Sequence, residues 1–520
     1  MAKKIKKQQP MTTAQQLSSI IKSCRDIMRK DKGLNGDLDR LPMLTWVMFL
    51  KFLDDMELIR AEEASLAGKR YKTIIESPYR WRDWAAKEDG ITGDDLIAFI
   101  NNDEAKGPDG KRGAGLFAYL RSMQGKNGGD RRDVIATVFR GLNNRMLNGY
   151  LLRDILNKIN GIHFTSSDEI HTIGYLYESM LKEMRDTAGD SGEFYTPRAV
   201  IKFMVKVINP KLGETILDPA CGTGGFLVEA FEHLKAQCKR TEDFRKLQEE
   251  SLYGIEAKSL PYLLCQMNLM LHGLEYPQID PDNALRTPLN EIGDKERVDI
   301  VLTNPPFGGE EEKGIQNNFP DDKRTNETAL LFLQLIMRKL RKPVGGKKPG
   351  RCGLIVPNGT LFGDGVCARI KEELLKEFNL HTIVRLPNGV FAPYTGIPTN
   401  LLFFDRGGTT KGIWYYEQPL PEGRKSYTKT KPMQFDEMED CIKWWNSRKE
   451  NERAWKVKAE DVVANNFNLD IKNPNTKDDF EHMPPEQLVE DIMKKEERIA
   501  EIMTEIKQIL GRGVNSVKEN

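Results

Sequence analysis

Three short strings hold residue types that can do chemistry, and in each the chemical residue follows an apolar run. The first, ETILDPACGTGGFLVEAF over residues 214–231, reads as a strand ending at Asp218, a turn with Gly222, Gly224 and Gly225, and the start of a helix. Glycine allows a tight turn and close backbone approach to a ligand, and a helix N-terminus favours a negatively charged group. The string is not a nucleotide phosphate loop, which reads G-x-x-x-x-G-K-[ST], and Leu227 stands where a dinucleotide fingerprint needs its third glycine. The second string, SLYGIEA, ends its strand at Glu256, where a carboxylate can accept from both hydroxyls of an adenosine ribose. Glu256-Ala257-Lys258 also matches the E-x-K half of a nuclease site, whose partner half is missing. The third, VDIVLTNPPFGG over 298–309, ends in Asn304-Pro305-Pro306-Phe307. The Asn304 side-chain oxygen and the Pro305 carbonyl can accept the two hydrogens of a planar amino group, with Phe307 stacked on its ring. Taken alone the tetrapeptide reads equally well as a structural turn. Three such strand ends in one chain are far more specific than any one.

These strand ends need a sheet to bring them together. ETILDPA, SLYGIEA, VDIVLTNPPF, GRCGLIVPNG and HTIVRLPNG alternate with helical stretches, which predicts parallel strands joined by crossovers in a doubly wound α/β domain. In such sheets ligands sit beyond the carboxyl ends of the strands. Before this region, residues 12–162 read as an α-helical N-terminal domain, with helical spacing over 44–59 and 133–147. A further helix is expected over 169–184, broken by TAGDSGEFYTPRAV. In the tail, Ile492, Ile499 and Ile506 recur every seventh residue. Leu488, Ile502 and Ile509 fill the other seam, with Lys495 the exception. That spacing predicts either a coiled-coil-like helix that docks another chain or an amphipathic helix packed on its own domain. The expected domains are therefore 1–160, 161–475 and 476–520.

Composition narrows the classes without naming a ligand. At 520 residues and 39% hydrophobic, the chain is long and apolar enough for several cores, so a small stapled scaffold is excluded. No run approaches the roughly 18 apolar residues of a membrane span. The seven cysteines show no CxxC pairing, and His163, His171 and His233 lack a paired ligand spacing, so neither a disulfide framework nor a metal site is expected. The expected location is the reducing cytoplasm. With 78 Lys and Arg against 77 Asp and Glu, any nucleic-acid contact must come from local patches or a partner. The string RKLRKPVGGKKPGR over 338–351 is one candidate patch, or else a solvated helix end.

In order along the chain, FYTP (194–197), DPACGTGGF, YGIE, NPPF and GLIVPNG resemble the S-adenosylmethionine-dependent N6-adenine DNA methyltransferases. MNLMLHG, LPNGVFAPYTGIPTNLLFF and FNLDIKNP narrow the resemblance to the modification subunits of type I restriction-modification systems, from about Leu17 to the C-terminal helix. The resemblance implies a Rossmann-like methyltransferase domain. It implies that Tyr195, Thr196 and Pro197, with Gly222, Thr223, Gly224, Gly225 and Phe226, cradle the methionine portion of S-adenosyl-L-methionine. Asp218 would engage its ammonium and Glu256 its ribose. The family usually places an Asp after the third strand to bond the cofactor adenine; this chain reads PDNAL, so Asn283 or Asp282 would fill the place and Leu285 would pack on the ring. Asn304, Pro305, Pro306 and Phe307 would receive a flipped-out adenine.

The resemblance also implies partners. Little chain follows Phe404 for two recognition units, so a specificity (S) subunit would read the sequence of double-stranded DNA. A second copy of this chain would complete an M2S1 complex, and translocation and cleavage would belong to a restriction (R) subunit. Two other readings share these residues: methylation of RNA or of protein glutamine, and a non-catalytic assembly subunit with the same fold.

Overall fold

The computed structural model describes residues 14–125, 131–162, 196–343, 345–346, 348–392, 395–428, 430–475, 493, 496–497 and 499–504. Nine strands form one sheet: β3 (Ile216–Asp218), β4 (Leu252–Ile255), β5 (Gln278–Asp280), β6 (Ile300–Thr303), β7 (Arg351–Pro357), β8 (Asn379–Arg385), β9 (Thr399–Asp405), β10 (Gly412–Glu417) and β11 (Ala454–Lys458). Their order is β11-β10-β8-β9-β7-β6-β3-β4-β5. Strands β5, β4, β3, β6 and β7 run parallel, as the alternating pattern predicts for β3, β4, β6 and β7; β5 is a further parallel strand that the pattern does not mark. The sheet is nonetheless mixed. Strand β9 inserts between β7 and β8 antiparallel to both, and β11 closes the edge antiparallel to β10.

Successive residues of a strand face opposite sides, and here they feed two cores. Ile216 and Leu302 pack with Met204, Phe231 and Leu264, from the helices Arg198–Ile208, Gly225–Lys235 and Ser259–Leu271. Leu217 and Val301 face the other way, against Leu330, Ile336, Ile370 and Leu374 of the helices Thr328–Lys339 and Val366–Glu377. The β5–β6 connection carries only the short 3-10 turns Leu289–Glu291 and Asp294–Glu296. With no longer helix there, the sheet face around Tyr253 stays open, and a cavity of about 690 Å³ lies between it and the helix Arg131–Arg140.

The N-terminal region is helical, as expected, around the 30-residue helix Asp37–Leu66. The second predicted run stops early: its helix ends at Arg140, and Asn148 caps the next helix, Gly149–Asn160, by accepting from the N–H groups of Tyr150 and Leu151. A two-stranded hairpin, β1 (Glu104–Lys106) with β2 (Arg112–Ala114), occupies a Gly-, Asp- and Lys-rich stretch that reads as loop in the sequence. Helices Asp37–Leu66 and Arg131–Arg140 pack on Ser259–Leu271, so the described residues up to Lys472 form one compact unit. The described residues from Asn473 on belong to a second. In it, residues 499–504 are helical, with Ile499, Ile502 and Met503 exposed; Leu488, Ile492, Lys495, Ile506 and Ile509, like the helix expected over 169–184, lie outside the described residues. Among the described residues no helix is long and apolar enough to cross a membrane.

One buried cation organises the N-terminal region. The Arg153 guanidinium donates to the carbonyls of Trp84, Ala85, Lys87 and Ile91 at 2.6–3.2 Å. Arg153→Leu removes the guanidinium donor from all four carbonyls, of which Lys87 O keeps Gly90 N–H, and is expected to cost about 3 kcal/mol. Urea unfolding checks this, and an unchanged midpoint would contradict it.

Candidate active site

Four neighbouring parallel strands end at one cavity of about 240 Å³. Asp218 is the last residue of β3, Glu256 follows β4, Asp282 and Asn283 follow β5, and Asn304 follows β6; all line this cavity. Strands β3 and β6 are the pair on either side of which the chain reverses its winding, the place where doubly wound sheets open a crevice.

The glycine-rich turn makes the floor. Gly222 and Gly224 adopt φ of 52° and 79°, the left-handed region that costs other residues strain. A Cβ on Gly225 would lie 2.7 Å from Ile201 Cδ1, so the helix Gly225–Lys235 starts tight against its neighbour. Glu256 is held by backbone donors, Gly222 N–H to Oε2 at 2.9 Å and Lys258 N–H to Oε1 at 2.8 Å. These bonds fix Glu256 to the turn.

Asp218 is almost wholly buried, and Ala220 N–H donates to its Oδ1 at 3.2 Å. Burial pushes its carboxyl up to about 7, against the opposing pull of the Thr303 hydroxyl and Ala220 N–H and with a further push from the Glu256 charge. A cationic ligand group is what such a carboxylate lacks. Across the cavity, Asn304 Nδ2 donates to Thr196 Oγ1 at 3.0 Å, while Asn304 Oδ1 is buried with no partner among the described residues. The Thr196 bond fixes the amide and leaves its acceptor open. Phe307 stands beside this point, its ring edge-on to Phe391 with centroids 5.4 Å apart.

Of the residues singled out in the sequence, Thr196, Asp218, Gly222, Thr223, Gly225, Phe226, Glu256, Asn283, Asn304 and Pro306 line the cavity. Pro197, Pro305 and Phe307 adjoin lining residues in the chain, and Gly224 instead faces Cys265. Leu285 is not among the lining residues but is buried in a cluster with Ile292, Phe319 and Phe332, the last of which lines the cavity. Asn283 Oδ1 accepts from Leu285 N–H at 3.0 Å, and its side chain also bonds Glu311. Asp282 lines the cavity with a carboxylate. Tyr195 lies outside the described residues.

Sequence reasoning missed Arg198, Asn268 and Glu311, which also line the cavity. Arg198 directly follows the Thr-Pro pair and donates to Gly225 O at 2.9 Å. Burial pushes the Glu311 carboxyl above its ordinary value, with the Asn283 bond opposing. The basic string 338–351 sits elsewhere. Arg341 pairs with Asp299 and Arg351 with Glu214, at the opposite, N-terminal ends of the strands, so these arginines fasten loops rather than face the cavity.

Comparison with known proteins agrees with this geometry. Residues 168–483 match the N-6 DNA Methylase family and residues 17–159 the HsdM N-terminal domain. The chain is 49% identical over 507 residues to the EcoEI type I restriction enzyme methylase subunit of Escherichia coli, covering 95% of this chain and 98% of that protein. A crystal structure of a modification subunit attributed to a type I restriction enzyme of Vibrio vulnificus YJ016 matches with a TM-score of 0.85 at 69% identity, over 91% of this chain and 100% of that one. A chain from a structural study of type I R-M complex assembly and conformational transition matches with a TM-score of 0.76 at 40% identity, over 97% and 99% of the two chains.

The Asp218 environment gives a test by pH. A carboxyl at about 7 in the folded protein and at its ordinary 3.8 when unfolded contributes stability that is intact below 3.8 and lost as pH rises through 7. Without ligand, the melting temperature of the wild type should therefore fall relative to Asp218→Asn between about pH 4 and pH 7. Calorimetry that found a constant difference across that window would contradict the burial argument.

Proposed function

This chain belongs to the type I restriction enzyme methylase subunits of the N-6 DNA methylase family and is an adenine-specific DNA methyltransferase, and from that premise we propose which residues hold the two ends of the reaction. The observation that carries the assignment is the meeting of Asp218, Glu256 and Asn304 on one cavity.

S-adenosyl-L-methionine fits this cavity by two features: a turn whose glycines admit a close ligand, and buried acceptors left open. When bound, it supplies an electrophilic methyl on a sulfonium. Thr196, with Tyr195, Pro197 and the 222–226 turn, holds the methionine portion, and Asp218 takes the ammonium. The Glu256 carboxylate, held at the cavity by Gly222 N–H and Lys258 N–H, takes the ribose hydroxyls. The adenine amino group falls to Asn283 or Asp282, which both line the cavity and each have one oxygen accepting a neighbouring N–H, from Leu285 and from Asn283.

On the acceptor side, adenine N6 is a weak nucleophile because its lone pair is delocalised into the ring. Asn304 Oδ1 and the Pro305 carbonyl accept its two hydrogens and favour a more tetrahedral nitrogen, aimed at the methyl. Positioning and electrostatics do the work, and no acid–base pair is needed. The base is flipped out of the duplex to reach them, with Phe307 stacking worth about 1–3 kcal/mol. A C5-cytosine mechanism would need an activated cysteine, and its Pro-Cys dipeptide is absent from the sequence.

The division into a helical domain (1–160), a methyltransferase domain (161–475) and a tail (476–520) follows these roles. The exposed Ile499, Ile502 and Met503 suit a helix that joins a specificity subunit. In this reading the chain works in the cytoplasm on double-stranded DNA, in an M2S1 complex that a restriction subunit joins.

Tritium transfer from labelled S-adenosyl-L-methionine to duplex DNA, with the specificity subunit supplied, tests the proposal. Asn304→Ala should lower kcat by about 10²–10³ while the cofactor still binds. Label in RNA or protein but not in DNA, or an unimpaired Asn304→Ala, would overturn it.

A further inference from the structure

One polar side chain at the cavity has no role in the scheme above. Asn268 sits in Ser259–Leu271, a helix that along LLCQMNLML is apolar except for Gln266 and Asn268, and it is 1% exposed. Its Nδ2 donates to Thr223 O at 2.9 Å, across the glycine-rich turn. A backbone carbonyl only accepts, so this bond fixes which end of the amide is nitrogen. Asn268 Oδ1 is buried without a partner among the described residues, and Asn268 lines the same cavity as Asp218, Glu256 and Asn304. Burying an acceptor without a donor is costly, which points to a donor brought by a ligand.

We propose that Asn268 is a second ligand of the cofactor's ammonium: Oδ1 accepts from that group while Nδ2 pins the turn that carries it. This rests on the methyltransferase reading above. An acceptor does not pair with the methionine carboxylate, and the ribose hydroxyls belong to Glu256 on the neighbouring strand, which leaves the ammonium as the donor at the Thr223 end. One helical turn before Asn268, Cys265 backs the same segment: a Cβ on Gly224 would lie 2.8 Å from Cys265 Sγ, and that sulfur lies 3.8 Å from Cys221 Sγ. The helix thus supports the turn at two successive positions. Gln266 differs: it also has an open buried oxygen, but its Nε2 donates to the Tyr262 hydroxyl and it lines the cavity on the open sheet face.

Titration calorimetry on the full chain with S-adenosylhomocysteine, its deaminated analogue and 5′-methylthioadenosine tests this. Asn268→Leu should bind S-adenosylhomocysteine about tenfold more weakly and the two ligands without an ammonium as the wild type does. Asn268→Asp keeps an acceptor facing the cation and should retain the affinity, although both variants lose the donor to Thr223. The ratio of the affinities for the first two ligands cancels any general loosening of the turn. Equal weakening of all three ligands in both variants, or no change in any, would overturn the proposal. A wild type that binds none of the three would overturn the cofactor reading beneath it.

Discussion

The site depends on one pairing: β3 and β6 lie side by side and parallel, Ile216 opposite Ile300 and Leu217 opposite Val301. Neighbouring strands are about 4.8 Å apart, so the residues leaving their carboxyl ends emerge at one edge and close together. Asp218 ends one strand and Asn304 follows the other. A carboxylate suited to a cation and an amide suited to an exocyclic amine thereby leave adjacent strands at the same edge, without any long loop to hold them. Had the two strands run antiparallel, these groups would stand at opposite ends of the sheet.

The second constraint is how the buried polar atoms are satisfied. Folded chains pair nearly all such atoms, so exceptions carry information. Glu256 is fixed by two backbone N–H groups, and Asp218 receives one. Asn304 and Asn268 each spend their donor on the protein, on Thr196 Oγ1 and on Thr223 O, and each keeps its oxygen open at the cavity. The protein thus orients both amides in advance and leaves their acceptors for ligands, which lowers the ordering cost of binding.

Much of this was legible in the sequence, because an apolar run that stops at a charged or amide residue marks both a strand and its end. Asp218, Glu256 and Asn304 were each found that way. Other features escaped for physical reasons. Strand β9 reads as one more apolar run, TNLLFF, and only pairing across the sheet reveals that it inserts backwards between β7 and β8. The β1–β2 hairpin lacks any apolar alternation: of its residues only Ala105 is buried. Asn268 was hidden inside an apolar helix, where one amide every few residues looks like tolerance; its polarity against that background was the available signal. At PDNAL the residue types leave Asn283 and Asp282 equivalent, and the fold keeps both at the cavity, each with one oxygen accepting a neighbouring N–H.

The most direct measurement is a crystal structure of the chain with S-adenosylhomocysteine. The account predicts the ligand in the cavity of about 240 Å³, its ammonium between Asp218 and Asn268 and its sulfur facing Asn304. Density for the ligand on the open sheet face beside Tyr253 and Tyr276 instead would contradict it.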